Sequence, residues 1–263
     1  MTGRRAWITA ATALLLAGLL RPPGAWAQPA GCAEGAALLE RAGELYARRQ
    51  DPDLARQAAR LYGQILGADG PCLEAALGRA RALVWVGVLS QGAEEINAYG
   101  QAMEAARRAV REAPDDPSGY YWLGVSQALY ANACGFVEGL SLVGQVRRSL
   151  ERAMALEPAY EHGGPDRVLG RLYFKLPALM GGDLERAERH LRRALSLGPA
   201  YWLNHLYLAE VLRARGRTAD ALALVDQVLA GPALPCCLPE YQLWRQEAVE
   251  LRERLDGGGE ARR

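Results

Sequence analysis

An all-α, right-handed helical solenoid is the fold class this sequence predicts: about five helix pairs and one further helix covering the C-terminal end. Three observations carry that prediction. Half of the residues are hydrophobic, yet only 7% are aromatic and Phe occurs twice; Ala, Leu, Arg and Glu, all strong helix formers, dominate instead. Residues 163–199 read GGPDRVLGRLYFKLPALMGGDLERAERHLRRALSLGP. There Leu169, Gly170 and Tyr173 share a helix face, and Gly181-Gly182-Asp183 breaks the pattern. Ala187, Leu191 and Ala194 then resume it at spacings of four and three, up to Pro199. Small residues at Gly170 and Ala187 let the two helices cross closely. The third observation is recurrence, since the same helix, break, helix, proline plan repeats along the chain.

The elements follow in order. Residues 36–49 form the first helix, with Leu39, Gly43 and Tyr46 on one face. Asp51-Pro52-Asp53 breaks it, and residues 54–66 return with Ala58, Tyr62 and Ile65 inward. The second pair starts at residues 74–88, where Leu77, Ala80, Leu83 and Trp85 are core candidates. An enlarged connection at residues 89–100 lengthens the returning helix at its start, before Ala102, Ala106 and Ala109 take up the inward positions. The third pair has Tyr120, Leu123 and Gly124 in its first helix, then an apolar, glycine-bearing loop over residues 132–144, then Val146, Leu150 and Ala153. Residues 163–199 are the fourth pair. The fifth has Leu208, Ala209 and Leu212, a turn at Gly216, then Ala221, Val225 and Val228. After a proline-rich joint, residues 240–255 form a more polar helix, as the exposed end of a solenoid requires. Residues 256–263 read as a disordered tail. Two-helix units of this kind, closed by a proline, match the tetratricopeptide repeat.

The first 27 residues stand apart. Arg4 and Arg5 precede a 15-residue apolar run, and Ala25-Trp26-Ala27 supplies small residues where a signal peptidase reads. This is the layout of a cleavable export signal, and the run is short for a membrane span. Cleavage after Ala27 removes Arg4, Arg5 and Arg21 from a chain of formal charge +1, which leaves the mature repeat domain, residues 28–255 with its tail, slightly acidic. The alternative address is lipid attachment at Cys32, after Ala30-Gly31, although Pro29 stands where a lipobox expects an aliphatic residue. Only that alternative places the chain at a membrane. In an oxidising compartment a disulfide is reasonable: Cys32 and Cys72 each sit just before the first helix of a pair, one repeat apart. Cys236 and Cys237 are adjacent, with no C-x-x-C or Cys/His cluster beside them.

The residues point to binding rather than chemistry. Charges of both signs are interspersed, which argues against a nucleic-acid partner. His162, His190 and His205 have no metal-ligand spacing, and no phosphate loop, nucleophile elbow or dinucleotide fingerprint occurs. No cofactor, metal or catalytic residue is therefore expected. Glu94, Glu95, Asp115 and Asp116 read as helix caps and dipole partners. His190 lies in ERAERHLRRAL and is expected at the surface. Arg167 and Arg171 share a face near a helix start, where an anion could sit, while Asp166 and Glu161 offer salt-bridge partners instead. Asn204 and His205 open the first helix of the fifth pair, on the concave side. Tyr120, Tyr121, Tyr173, Trp202 and Tyr207 are the aromatics expected near a concave groove, since aromatics anchor many interfaces; core packing explains them equally well. Partner specificity is expected in residues 89–100 and 132–144.

Three segments carry a resemblance: GGPDRVLGRLYFKLP, GGDLERAERHLRRAL and LNHLYLAEVL. They are similar to the periplasmic T component associated with tripartite ATP-independent periplasmic (TRAP) transporters and, more distantly, to regulator-of-microtubule-dynamics proteins. The resemblance covers residues 36–255 in layout and is specific across 163–212. It implies an all-helical repeat bundle without enzymatic activity, a homo-oligomer, and a periplasmic solute-binding protein as partner. A general envelope-assembly adaptor is the other reading of an exported repeat protein.

Overall fold

The computed structural model describes residues 32, 35–67, 71–233 and 237–260. Eleven α-helices and one short 3₁₀ turn make up these residues. In chain order they are α1 (Ala36–Ala47), α2 (Pro52–Gly67), α3 (Leu73–Val88), α4 (Ala93–Glu112), α5 (Pro117–Ala133), α6 (Phe136–Leu156), α7 (Tyr160–Lys175), α8 (Leu184–Leu197), α9 (Trp202–Ala214), α10 (Thr218–Ala230) and α11 (Leu238–Glu260), with the 3₁₀ turn at Ala178–Met180 between α7 and α8. Each helix packs mainly on its chain neighbours, so the five pairs stack in a row with α11 over the end. Successive odd-numbered helices also touch one another, from α1 to α11, whereas the even-numbered helices pack on the odd ones before and after them. The odd helices therefore form an inner row and the even helices an outer one. This is the tetratricopeptide solenoid the periodicity calls for.

The inward positions are those the small-residue spacing marks. Ala58, Ala102, Ala106, Ala109, Val146, Leu150, Ala153, Ala187, Leu191, Ala194, Ala221, Val225 and Val228 are fully buried. At Gly170 an added Cβ would stand 2.6 Å from the Leu191 side chain and 3.1 Å from the Ala187 carbonyl, so α7 and α8 approach as closely as their backbones allow. Asp116 and Asp183 cap α5 and α8, each accepting a hydrogen bond from a first-turn backbone N–H, which meets the donors a helix start leaves open.

Two local expectations change and one holds. The returning helix of the second pair is lengthened at its start, as its spacing predicts, with α4 beginning at Ala93. Residues 136–144, by contrast, are helix rather than loop, since α6 begins at Phe136. Gly92 and Gly135 take φ of 63° and 94°, a left-handed geometry open to glycine at little cost, so each turn closes in a few residues. No proline interrupts the apolar run that follows, and it continues at helical spacing as α6. The last helix runs on to Glu260, so residues 256–260 are helical rather than tail. Residues 1–27, Cys236 and residues 261–263 lie outside the described residues. Among the described residues, no helix is long and apolar enough to cross a membrane, and no group of three His, Cys, Asp or Glu is placed to hold a metal ion.

Candidate functional site

The unusual backbone of this molecule is the start of α7. Glu161, His162 and Gly163 stand consecutively in the left-handed region, at φ of 49°, 59° and 76°. A non-glycine residue there costs roughly 1–2 kcal/mol, so the surroundings must hold it. Asn204, fully buried in the first turn of α9, does so. Its Nδ2 lies 3.0 Å from the His162 carbonyl, 2.9 Å from that of Ala194 and 3.0 Å from that of Gly198. The last two lie at the end of α8, where they already accept from the Gly198 and Tyr201 backbone N–H groups and use their second lone pairs for Asn204. The Asn204 Oδ1 accepts a 3.2 Å bond from Arg167, which also donates to the Glu161 carbonyl at 3.1 Å and to the Tyr121 hydroxyl at 3.0 Å. The Arg167 guanidinium lies 4.4 Å from the centre of the Tyr201 ring, and His162 stacks on the same ring at 5.0 Å. One polar joint thus ties α5, α7, α8 and α9 together.

The joint settles what these residues do within the fold. Tyr121, Arg167 and Asn204 are brought together, but as a buried network. The Arg167 guanidinium bonds a carbonyl, an amide oxygen and a phenol in place of the Asp166 or Glu161 carboxylate that the simplest sequence reading offers it. Burial opposes its charge, and the phenols of Tyr121 and Tyr201 with the Glu161 carboxylate more than offset that. Burial also raises the pKa of Tyr121, against the pull of Arg167.

The other sequence candidates also face inward or pair locally. Tyr120 is half-buried, with the Arg152 guanidinium 5.7 Å from its ring centre. Tyr173 stacks on His190 at 5.5 Å, nearly parallel. His190 is not the free surface residue its Arg/Glu-rich surroundings imply, because its Nδ1 lies 2.7 Å from Oδ1 of the fully buried Asp166. Trp202 donates from Nε1 to the Pro232 carbonyl at 2.9 Å and pins the joint before α11. His205 is buried beside it, and burial lowers its pKa against hydrogen bonding toward the Tyr201 backbone and Gln227. The Tyr207 ring centre lies 4.4 Å from the Arg171 guanidinium, which pairs with Glu210. Cys32 and Cys72 are joined by a disulfide that ties the start of the chain to the start of α3.

A second inner contact has no trace in the sequence pattern. Arg49, just after α1, holds Glu240 of α11 through Nε at 3.0 Å and Nη2 at 2.6 Å. The two residues are 191 positions apart. Arg49 lies 4.7 Å from the Tyr46 ring centre and 5.4 Å from that of Trp85, and burial pushes the Tyr46 phenol well up. Further along α11, Trp244 meets Tyr201 edge-on at 4.8 Å. The start of α11 therefore reaches the first helix pair on the inner side, while the body of α11 packs on α9 and α10. Arg49, Glu240, Tyr46, Tyr201 and Trp244 belong with the inner aromatics, yet only superhelix closure brings them there.

The family model described as TRAP transporter T-component matches residues 76–233, more than half of the chain. No curated protein matches the chain. Among solved structures, the chain is similar to TTC0263, a thermophilic tetratricopeptide-repeat protein of Thermus thermophilus. That likeness has a TM-score of 0.62 and 22% identity, over 82% of this chain and 98% of that one. It is also similar to PilW, a type IV pilus biogenesis factor, with a TM-score of 0.54 and 21% identity over 85% of this chain and 93% of that one. At these identities the solved structures speak for the fold alone.

Proposed function

The chain belongs to the TRAP transporter T-component family, and from that premise we propose that it is an exported, non-enzymatic scaffold that pairs with the solute-binding protein of its transporter. The observation that carries this reading is the family match over residues 76–233, which spans the second to the fifth helix pair. The solenoid supports it physically: stacked repeats present long continuous surfaces without a closed catalytic cavity. Chemistry has little to work with. The His190–Asp166 pair holds α8 to α7 beside the Tyr173 ring, and Arg167, Asn204 and Tyr121 are consumed by one another.

Export rests on the first 27 residues, with cleavage after Ala27 and release into the periplasm. The disulfide at Cys32 favours that address over lipid attachment, since a sulfur bonded to Cys72 carries no acyl-glyceryl group. N-terminal sequencing of the mature protein separates the cases. A start at Gln28 is expected; an acylated Cys32 would replace release with anchoring; an intact Met1 would contradict export. Partner choice is tested by co-purification from the native host. Recovery of the transporter's solute-binding protein is expected, and recovery of envelope-assembly machinery in its place would overturn the reading.

A further inference from the structure

We propose that the outer face between α2 and α4 is the docking site for an acidic segment of the protein partner; this rests on the scaffold reading above and names the surface it uses. Much of the inner face is taken up, because its aromatic and charged residues are bonded to one another and the start of α11 closes on Arg49. The outer row differs. Between α2 and α4, over α3, is a cleft of about 470 Å³ whose rim carries Arg56, Arg60 and Arg79 with the amides of Asn97 and Gln101. Three guanidinium groups face one carboxylate, Glu94, and that carboxylate is already held by Arg56 at 2.8 Å. Arg60 is exposed, with no carboxylate partner among the described residues. The Arg79 Nε is buried without a hydrogen-bond partner, and its Nη2 reaches Gln101 only at 3.4 Å. An incoming carboxylate meets the exposed Arg60 guanidinium and the weakly held Arg79 Nη2, while the buried Nε lies beside Gly63.

The shape argues for a segment of chain rather than a small anion. A second cleft, of about 510 Å³, adjoins the first across α4 and shares Asn97 and Gln101 with it. Ile96, Gly100 and Tyr130 give it an apolar lining, with Glu104, held by Arg107, at its edge. Together the two form a trough that crosses α4, basic at one end and apolar at the other. An extended segment with a Glu or Asp followed, a few residues on, by an aliphatic side chain complements both ends. Arginine suits the first contact because its planar fork meets a carboxylate through two parallel bonds.

The test is calorimetric titration of the solute-binding protein encoded with the transporter into the mature chain. It compares wild type with Arg60→Glu, Arg79→Gln and Arg245→Glu, the last an exposed control on α11, with thermal unfolding run in parallel. The proposal expects an affinity loss of about tenfold or more for both cleft variants, none for Arg245→Glu, and unchanged unfolding for Arg60→Glu. Unchanged affinity in both cleft variants would overturn the docking surface while leaving the partner reading in place. Absence of binding by wild type would overturn the partner reading and the surface with it. Citrate bound by wild type and lost in Arg79→Gln, with partner affinity untouched, would make the cleft a small-anion site and likewise overturn the proposal.

Discussion

The polar joint at the start of α7 and the cleft between α2 and α4 are built from similar residues and behave in opposite ways. Each has an arginine reaching across to a neighbouring helix and an amide side chain nearby. In the joint, Arg167 meets a carbonyl, an amide oxygen and a hydroxyl, all from its own chain. In the cleft, Arg60 is exposed and the Arg79 Nε has no partner. What separates a structural arginine from an available one is therefore the supply of acceptors. The inner row brings several helices to one point and satisfies its donors; the outer row splays its helices apart and leaves donors open.

Replacing Asn204 by Ala is the most damaging way to break that comparison. It removes the amide donor that three carbonyls share, takes an acceptor from buried Arg167 and frees the strained turn. A loss of about 3 kcal/mol in urea unfolding is expected, by the cost of open buried polar groups; a loss under about 0.5 kcal/mol would mean the joint does not hold the fold. Arg49→Ala comes next. It leaves Glu240 unpaired, but that carboxylate keeps some solvent contact, so about 2 kcal/mol is expected rather than the full cost of a buried charge. Amide exchange should rise selectively at the start of α11, and a uniform rise along the chain would contradict a local closure.

A smaller effect comes from pH. Burial lowers the His205 pKa below its usual 6.5. Between that lowered value and 6.5 the unfolded chain binds more protons than the folded one, so stability rises with pH across this window and is lost as pH falls through it. His205→Gln should flatten the dependence, as thermal melts between about pH 5 and 7.5 would record; an unaltered slope would assign it to another group. The smallest stability effect belongs to the cleft. Arg60→Glu should shift unfolding by less than about 0.5 kcal/mol, as for surface changes away from packed features.

Legibility in the sequence follows the same division. The helix pairs and their crossing points are readable because close packing demands small residues at fixed spacing, and Ala58, Gly170, Ala187 and Ala194 announce it. The turn at Gly135 is harder to read than the one at Gly92. The residues after Gly135 are apolar enough to suggest a long, unusual loop, yet they form the first turns of α6, whereas after Gly92 the returning helix starts early, as its spacing predicts. The joint is half legible. Tyr121, Arg167 and Asn204 stand out one by one, but their mutual bonding depends on a left-handed Glu161–His162 that no local propensity favours. The Arg49–Glu240 contact is not legible at all, because it depends on the accumulated curvature of five repeats. Arg56, Arg60 and Arg79 have no signal of their own in a chain with 31 basic residues; only the gap between α2 and α4 distinguishes them.

Amide hydrogen exchange on the mature chain, alone and with its solute-binding protein, tests most directly whether the inner face is structure and the outer face is surface. The account predicts new protection in residues 56–64 of α2 and 93–101 of α4, with the segments around Tyr121, Arg167 and Asn204 unchanged. Protection at those three segments, with α2 and α4 unchanged, would place the partner in the concave side and contradict it.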